Sequence, residues 1–393
     1  MEDQSVCMDR LPVPFYRQRK KRNPCFYAVY DGHGGQEAAK FAGRILHTFV
    51  ARGLSEGLNG PDALNHAFRD TDEAFLMRVR GVKTKESVEG VEDNDKRDRT
   101  NRSDYSRLSG TMSLNSAILS DDDDTMDSTD PLRGSIAGTC ASAVLVNHDR
   151  IYVANAGDSR VVLCRGGKPI ALSRDHKPKC PDEIARIVEA GGFVSLGRTN
   201  GQLAVSRALG DCNFKGFDDE NASPRHEREL PTVSSEPEIF EIQICSEDEF
   251  LVIACDGLWD VMNNEEVVQF VRASKSDSMG MPTDLSRVAS DLADHAIEDL
   301  NSKDNVSCII VALESPDMIE KRQSLRDEKA TSSPPVMSLN LELTNDDVTM
   351  SPKSSIDDLL EYASSPSHAK HFQNRKIPSS FNSDRGGIGL DDD

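Results

Sequence analysis

The stretch FYAVYDGHGG at residues 26–35 contains the pattern that decides the fold. Its first five residues are apolar or aromatic and predict a buried strand, which the glycine-rich turn DGHGG (31–35) ends. A helix is predicted next, because apolar residues recur at i, i+3 and i+4 spacing until Gly53. These apolar residues are Ala38, Phe41, Ala42, Ile45, Leu46, Phe49 and Val50.

Short strands and paired helices alternate along the rest of the ordered sequence. Strands are predicted at 138–146, 150–156, 160–165, 168–172, 249–257 and 306–313, and helices around 64–75, 181–192, 267–271 and 285–296. Strands in hairpins with helices in pairs predict an α+β fold. We expect two stacked antiparallel β-sheets flanked by α-helices, an α-β-β-α sandwich.

Two polar segments interrupt or follow this domain. Residues 82–136 are rich in Lys, Glu, Asp, Ser and Asn and predict a flexible insertion, and residues 315–393 predict a disordered tail. One domain is therefore expected over residues 1–314. IDDLLEY (356–362) resembles a partner-docking helix, but its composition favours solvated tail. The insertion and the tail are candidates for binding regulators.

The composition excludes several classes of partner. The 393 residues include 46 basic and 67 acidic ones, a net charge of −21, which opposes binding to nucleic acid or an anionic membrane. The nine cysteines form no CxxC pair, so neither a zinc site nor a disulfide framework is predicted. Without a signal peptide or an apolar span, the sequence predicts a soluble monomer in the cytoplasm, the nucleus or both. RQRKKR (17–22) fits a nuclear signal, a docking patch or an exposed hairpin tip, and these alternatives stay open.

Three acidic residues recur next to predicted strands. Asp31 follows FYAVY, Asp256 follows FLVIAC, and Asp304 precedes VSCIIVAL. Carboxylates that converge at a core edge repel one another unless cations lie between them. Hard oxygen ligands without Cys or His favour Mg²⁺ or Mn²⁺ over Zn²⁺. Each aspartate alone more often caps a turn, so the residues by themselves raise the probability of a metal site only modestly.

Six motifs in order give the sequence a family resemblance. They are VYDGHGG (29–35), GTCASAVLV (138–146), ANAGDSRVVLCRGGK (154–168), RTNGQLAVSRALGD (198–211), VIACDGLWDVM (252–262) and DNVS (304–307). Together with MED (1–3), they resemble the type 2C metal-dependent serine/threonine protein phosphatases over about residues 1–80 and 137–314.

The resemblance implies a two-metal site. Asp31 would bridge two Mg²⁺ or Mn²⁺ ions; the remaining ligands would be Asp256 and Asp304 on one ion, and Glu2 and the carbonyl of Gly32 on the other. Asp158 and Asp260 match positions that hold a third, weaker metal in some members. Arg198 matches a substrate-side arginine beside a flap, expected near residues 212–232.

The resemblance also implies a mechanism. A water or hydroxide bridging the two ions would attack phosphorus in phosphoserine or phosphothreonine of a protein substrate, without a phosphoenzyme. His33 would be the general acid that protonates the leaving oxygen. Without the neighbouring motifs, His33 would be interpreted as a loop histidine that caps a turn.

One departure supports an alternative function. The family carries a phosphate-gripping arginine shortly before MED, which has no counterpart here because the sequence starts at Met1. Glu2 is therefore expected on a frayed terminus. The alternative is a catalytically weak pseudophosphatase that acts as a binding module. Retention of Asp31, Asp256, Asp304 and His33 favours the enzyme.

Other phosphatase-like patterns are weaker. Cys180 and Arg186 form a C-x5-R pattern, but the intervening PDEIA is typical of a helix start and carries two carboxylates. Asp121-x-Asp123-x-Thr125 mimics an aspartyl-phosphate motif inside an acidic run. A calcium-buffering role would depend on charge alone, because no EF-hand spacing occurs.

Overall fold

Two antiparallel sheets form the centre of the fold. The computed structural model describes residues 2–14, 23–81, 132, 134–216, 230–276 and 284–313. The larger sheet consists of β1 (Gln4–Met8), β2 (Cys25–His33), β3 (Gly138–Asn147), β4 (Arg150–Ala156), β9 (Leu209–Gly210) and β10 (Glu238–Gln243). Its order is β1-β2-β3-β4-β10, with β9 paired to β3.

The smaller sheet has four strands, β5 (Arg160–Arg165), β6 (Lys168–Ala171), β11 (Asp248–Ala254) and β12 (Cys308–Ala312). Their order is β12-β11-β5-β6. A separate hairpin is formed by β7 (Val194–Ser195) and β8 (Arg198–Thr199). Apolar side chains of both sheets, among them Val29, Val153, Leu163 and Ile253, meet in a core between the sheets.

Helices cover the outer faces. The helices are α1 (Glu37–Glu56), α2 (Gly60–Arg80), α3 (Pro181–Glu189), α4 (Asp256–Trp259), α5 (Asn264–Ser276) and α6 (Leu285–Asp294). α1 and α2 share a core with the larger sheet, and α5 and α6 share one with the smaller sheet. The predicted α-β-β-α sandwich is thereby confirmed. No helix in the described ranges combines the length and apolarity needed to cross a bilayer.

The end predicted for α1 is wrong by one turn. The helix continues past Gly53 to Glu56, and Gly57, which has φ +99°, caps the last turn with its backbone N–H. Gly53 is instead buried, and a Cβ at this position would lie 3.3 Å from Cα of Ala63 on α2. A glycine inside the helix therefore serves close packing between α1 and α2.

The ends of the segment that follows α2 lie together. Gly81 ends α2 in the left-handed conformation, with φ +65°. On the far side of the segment, the N–H of Gly134 donates to the carbonyl of Val79 over 3.0 Å, and Leu132 is buried. The rest of the predicted insertion (82–131 and 133), residues 17–22 and the tail lie outside the described residues.

The N-terminal segment is paired rather than frayed. β1 pairs with β2 from Gln4 opposite Tyr30 to Met8 opposite Phe26. Asp3, directly before β1, is only 2% exposed. The expectation of a frayed terminus at Glu2 is therefore not met. β1, which follows Glu2, is hydrogen-bonded to β2, and β2 lies inside the larger sheet.

Candidate metal centre

Three carboxylates meet near the ends of strands from the two sheets. Asp31 lies near the end of β2, Asp158 lies between β4 and β5, and Asp256 begins α4 directly after β11. One oxygen of each lies within 4.8 Å of an oxygen of the others. The sequence argument brought Asp31, Asp256 and Asp304 together. The structure instead groups Asp31 and Asp256 with Asp158, the residue that the resemblance matched to a third, weaker metal, and these three form an acidic triad.

The triad is electrostatically strained without a cation. Burial, followed by the charge of Asp3, raises the pKa of Asp31 well above its usual range. Burial and the charge of Asp158 raise the pKa of Asp256 to about 7. Burial raises the pKa of Asp3 to about 6, and the charge of Asp304 adds to this effect. Carboxylates in such an arrangement are either protonated or bound to positive charge.

The donor set fits a hard divalent cation. The triad offers only carboxylate oxygens, the ligands that Mg²⁺ and Mn²⁺ prefer. Two cysteines lie nearby, and burial raises the pKa of Cys140 and Cys255 well above the usual value. Both are therefore thiols; Cys140 donates to Asp158 over 3.1 Å.

The other predicted ligands surround the triad. Asp304 is exposed, and its charge raises the pKa values of Asp31 and Asp256. Asp260 is also exposed, and its backbone N–H donates to the carbonyl of Asp256 over 2.8 Å. Both lie outside the group of oxygens within 4.8 Å of one another among the described residues.

Close backbone contact links Gly32 to Glu2. A Cβ on Gly32 would lie 2.5 Å from the carbonyl oxygen of Glu2 and 3.0 Å from its carbonyl carbon. Only glycine permits this approach, because real Cβ atoms do not come so close to backbone atoms. The predicted ligands Glu2 and Gly32 are therefore neighbours at the end of β2.

A second close contact joins the loops of Asp256 and Asp304. A Cβ on Gly257 would overlap the carbonyl oxygen of Asn305. The hydroxyl of Ser302 donates to the carbonyl of Gly257 over 2.7 Å, and the N–H of Cys255 donates to Ser307. These bonds fix the turn of Asp256 against the loop that carries Asp304.

A lysine that the sequence did not single out also reaches the triad. The ammonium of Lys177 pairs with Asp158 and lies 3.8 Å from an oxygen of Asp256. Burial lowers the pKa of Lys177, whereas the charge of Asp158 and the hydrogen bond to Asp158 raise this pKa by more. The pKa of Lys177 is therefore above its usual value. Lys177 is charged, and 27% of its side chain remains exposed.

His33 faces a partner that sequence reasoning missed. Its Nε2 lies 2.9 and 3.0 Å from the two carboxylate oxygens of Asp211. Burial lowers the pKa of His33, but the charge of Asp211 and the hydrogen bond to it outweigh that effect and raise it. The charges of Asp158 and Glu2 also raise the pKa of His33, so His33 lies close enough to both acids for their charges to act on it.

Two other predicted residues lie elsewhere. Arg198 is exposed on β8, where its Nη1 donates to the carbonyl of Gln202 over 2.7 Å. No contact between Arg198 and the triad occurs within the described ranges. Cys180 occupies the N-cap position of α3, and Arg186 donates to the carbonyls of Pro231 and Ser206, which agrees with a helix start.

Comparison with known proteins agrees with this geometry. A family model described as Protein phosphatase 2C matches residues 1–91 and 81–306. Probable protein phosphatase 2C 42 of Oryza sativa subsp. japonica is 38% identical over 304 residues, which cover 75% of this chain and 77% of that protein. Protein phosphatase 1B of Mus musculus is 34% identical over 309 residues, covering 78% and 67%.

Solved structures show the same fold. A serine-threonine phosphatase 2C from Toxoplasma gondii aligns with TM-score 0.53 at 16% identity, over 80% of this chain and 90% of that chain. A C. elegans sex determining protein aligns with TM-score 0.56 at 24% identity, over 81% and 63%. With the family match and the relatives above, these findings confirm the resemblance. The chain belongs to the protein phosphatase 2C family of metal-dependent serine/threonine protein phosphatases.

Proposed function

We propose that the chain hydrolyses phosphoserine and phosphothreonine in proteins with two Mg²⁺ or Mn²⁺ ions and without a phosphoenzyme. The acidic triad of Asp31, Asp158 and Asp256 carries this proposal, because these crowded carboxylates, of which Asp158 is buried and the other two half-buried, need positive charge. When bound, the ions supply charge to the phosphate oxygens and lower the pKa of the attacking water.

The ligands are assigned from the family pattern and supported by proximity. Asp31 would contact both ions, because it has the charges of Asp3, Asp256, Asp158 and Asp304 around it. Asp256 and Asp304 would complete one site, since the close contact of Gly257 with Asn305 holds their loops together. Glu2 and the carbonyl of Gly32 would complete the other. Asp158 and Asp260 would hold a third, weaker cation.

Protein side chains would perform the remaining steps. Lys177 offers a partly exposed positive charge beside the triad, where a phosphate dianion needs to enter an acidic site. His33 would give a proton to the serine or threonine oxygen as the phosphorus–oxygen bond breaks. Without this proton an alkoxide would have to leave, which is unfavourable.

A metal-titrated phosphatase assay tests the proposal. Phosphate release from a phosphothreonine peptide is measured with the full chain in Mg²⁺, in Mn²⁺ and in excess EDTA. We expect turnover that saturates with metal, disappears in EDTA and is lost in Asp256→Asn, while the circular dichroism spectrum is retained. Turnover that persists in EDTA would contradict the metal mechanism, and a folded, metal-binding protein without turnover would indicate the pseudophosphatase.

A further inference from the structure

We propose that Asp211 is a positioning residue that holds the ring of His33 through Nε2, so that Nδ1 is the atom that gives the proton to the leaving oxygen. The inference depends on the proposed phosphatase function and assigns a role to the last residue of the motif at 198–211. It starts from the two contacts of 2.9 and 3.0 Å between Nε2 of His33 and the carboxylate of Asp211.

The contact fixes which nitrogen is available. An ionised carboxylate can only accept hydrogen bonds, so Nε2 is the donor in this pair. Nδ1 of His33 has no hydrogen-bond partner among the described residues, and 28% of the side chain is exposed. A proton on Nδ1 can therefore reach a substrate, whereas the proton on Nε2 is held by Asp211.

The backbone of Asp211 is built to present its carboxylate. Asp211 has φ +53° and ψ +50°, a left-handed conformation that aspartate tolerates better than most residues. Its N–H donates to the carbonyl of Ala137 over 3.1 Å, and its carbonyl accepts from Phe214 over 2.9 Å. The preceding N–H, that of Gly210, donates to Asp72 on α2 over 2.7 Å. Two backbone hydrogen bonds of Asp211 and one of its neighbour Gly210 therefore hold a residue that is only 3% exposed.

The space for the carboxylate is provided by a glycine. Gly138 pairs with Gly210 across β3 and β9, and a Cβ on Gly138 would overlap the carboxylate of Asp211. Gly138 also lies opposite His33 in the pairing of β2 with β3. One position of β3 therefore sets the distance between the two side chains.

The chemical step balances with this assignment. The oxygen of water bonds to phosphorus and gives up one proton to bulk solvent, while the bond from phosphorus to the serine oxygen breaks. The bonding electron pair leaves with the serine oxygen, which takes the proton from Nδ1 of His33. Asp211 neither gains nor loses a proton in this step. Its role is to keep the imidazole ring of His33 in place.

Leaving-group dependence provides the test. p-Nitrophenolate leaves as a stable anion and needs little protonation, whereas serine needs a full proton. General acid catalysis typically contributes about 10²–10⁴-fold. We expect Asp211→Asn to lower the ratio of phosphoserine-peptide turnover to p-nitrophenyl phosphate turnover at least about tenfold. The substituted side chain has the same shape and also tolerates φ > 0, so the fold is retained.

A double-mutant cycle shows whether Asp211 acts through His33. In a His33→Ala background, Asp211→Asn is expected to lower the ratio no further, because the positioned group is absent. Asp248→Asn is the matched control, since Asp248 is a buried aspartate paired with Arg165 over 2.6 Å. This control is expected to lower the melting temperature and leave the ratio unchanged.

The outcomes separate the two proposals. An active wild type whose ratio does not respond to Asp211→Asn, or an equal loss in the His33→Ala background, would overturn the positioning role alone. A folded wild type that hydrolyses neither substrate with metal would overturn the proposed function and this inference with it.

Discussion

Lys177 places its ammonium 3.8 Å from a carboxylate oxygen of Asp256, within the group of acids that would bind metal. The same ammonium pairs with Asp158. The positive charge of Lys177 therefore reduces the negative potential that would attract a divalent ion. This charge is expected to have two opposing effects. The charge would weaken metal binding and would attract the phosphate of a substrate.

Substitution of this lysine is expected to separate the two effects. Lys177→Gln should tighten Mn²⁺ binding several-fold, because one competing charge is removed, while the KM for a phosphopeptide rises. Isothermal titration calorimetry and steady-state kinetics measure the two changes. Lys179→Gln removes the same charge from an exposed position two residues away and is expected to change neither. Weaker Mn²⁺ binding in Lys177→Gln would show that the lysine supports the site rather than competing for it.

The stability gained from metal is expected to increase with pH. In the metal-free protein the pKa values of Asp3 and Asp256 are about 6 and about 7, above the value of 3.8 in the unfolded chain. The folded state then binds more protons than the unfolded state. The contribution of these groups to the free energy of unfolding therefore falls as pH rises from about 4 through 7.

Bound Mg²⁺ removes this loss, because it takes the place of the protons. The increase in melting temperature on adding Mg²⁺ should therefore be larger at pH 8 than at pH 6, as measured by differential scanning fluorimetry against EDTA. Asp256→Asn is expected to reduce the difference between the two pH values. An equal or smaller gain at pH 8 would contradict the raised pKa values.

Neutralising the centre of the triad should stabilise the protein without metal. Asp31→Asn removes a half-buried charge that repels Asp3, Asp256 and Asp158, so the free energy of unfolding in EDTA is expected to rise by roughly 1–3 kcal/mol. Urea unfolding at pH 8 measures this change. Activity and stabilisation by Mg²⁺ should both disappear. Glu189→Gln, on the exposed end of α3, is the control and should change neither stability nor activity.

Two glycine substitutions are expected to change stability in opposite directions. Gly257→Ala forces a Cβ into the carbonyl oxygen of Asn305, and backbone atoms cannot move aside easily. The variant should lose about 1–3 kcal/mol of stability and bind metal more weakly, because the loops of Asp256 and Asp304 separate.

Gly43→Ala is the matched substitution in helix α1. Its nearest neighbour would be Cβ of Gln4 at 3.7 Å, an ordinary contact. Stability should rise by about 0.5–1 kcal/mol, because alanine is the better helix former. Thermal unfolding of both variants with and without Mg²⁺ measures the contrast. Equal stability of Gly257→Ala and wild type would show that the two loops are not held by this contact.

The sequence was informative where a local pattern and a buried strand coincide. The apolar run before Asp31 and the one before Asp256 predicted strands that end in carboxylates, and these ends meet. β1 and β10 were missed for a physical reason. β1 is only half-buried, and in β10 exposed and half-buried residues mix without a clear alternation, as expected at the sheet's edges.

Contacts between distant residues were beyond local patterns. His33 and Asp211 are separated by 178 positions, and the hydrogen bond between them exists only because β9 joins the larger sheet beside β3. Asp211 nevertheless lies next to a glycine at the end of a motif, as Asp256 does. The argument that carboxylates beside strand ends are candidate site residues could therefore have identified Asp211. Asp3 was overlooked because β1 was not predicted, and Lys177 lies in a loop without any periodic signal.

The hydrogen bond between Gly134 and Val79 holds Gly134 beside the last turn of α2. The two points at which residues 82–131 join the described structure are therefore close together. For any flexible linker added between two such neighbouring points, the entropic cost of closing the loop grows by only about 0.6 kcal/mol for each doubling of its length. We therefore expect the segment between Gly81 and Leu132 to be a site that tolerates insertion of additional sequence. A fluorescent reporter or a second folded module with neighbouring termini could be carried there while the sheets and the metal centre keep their arrangement.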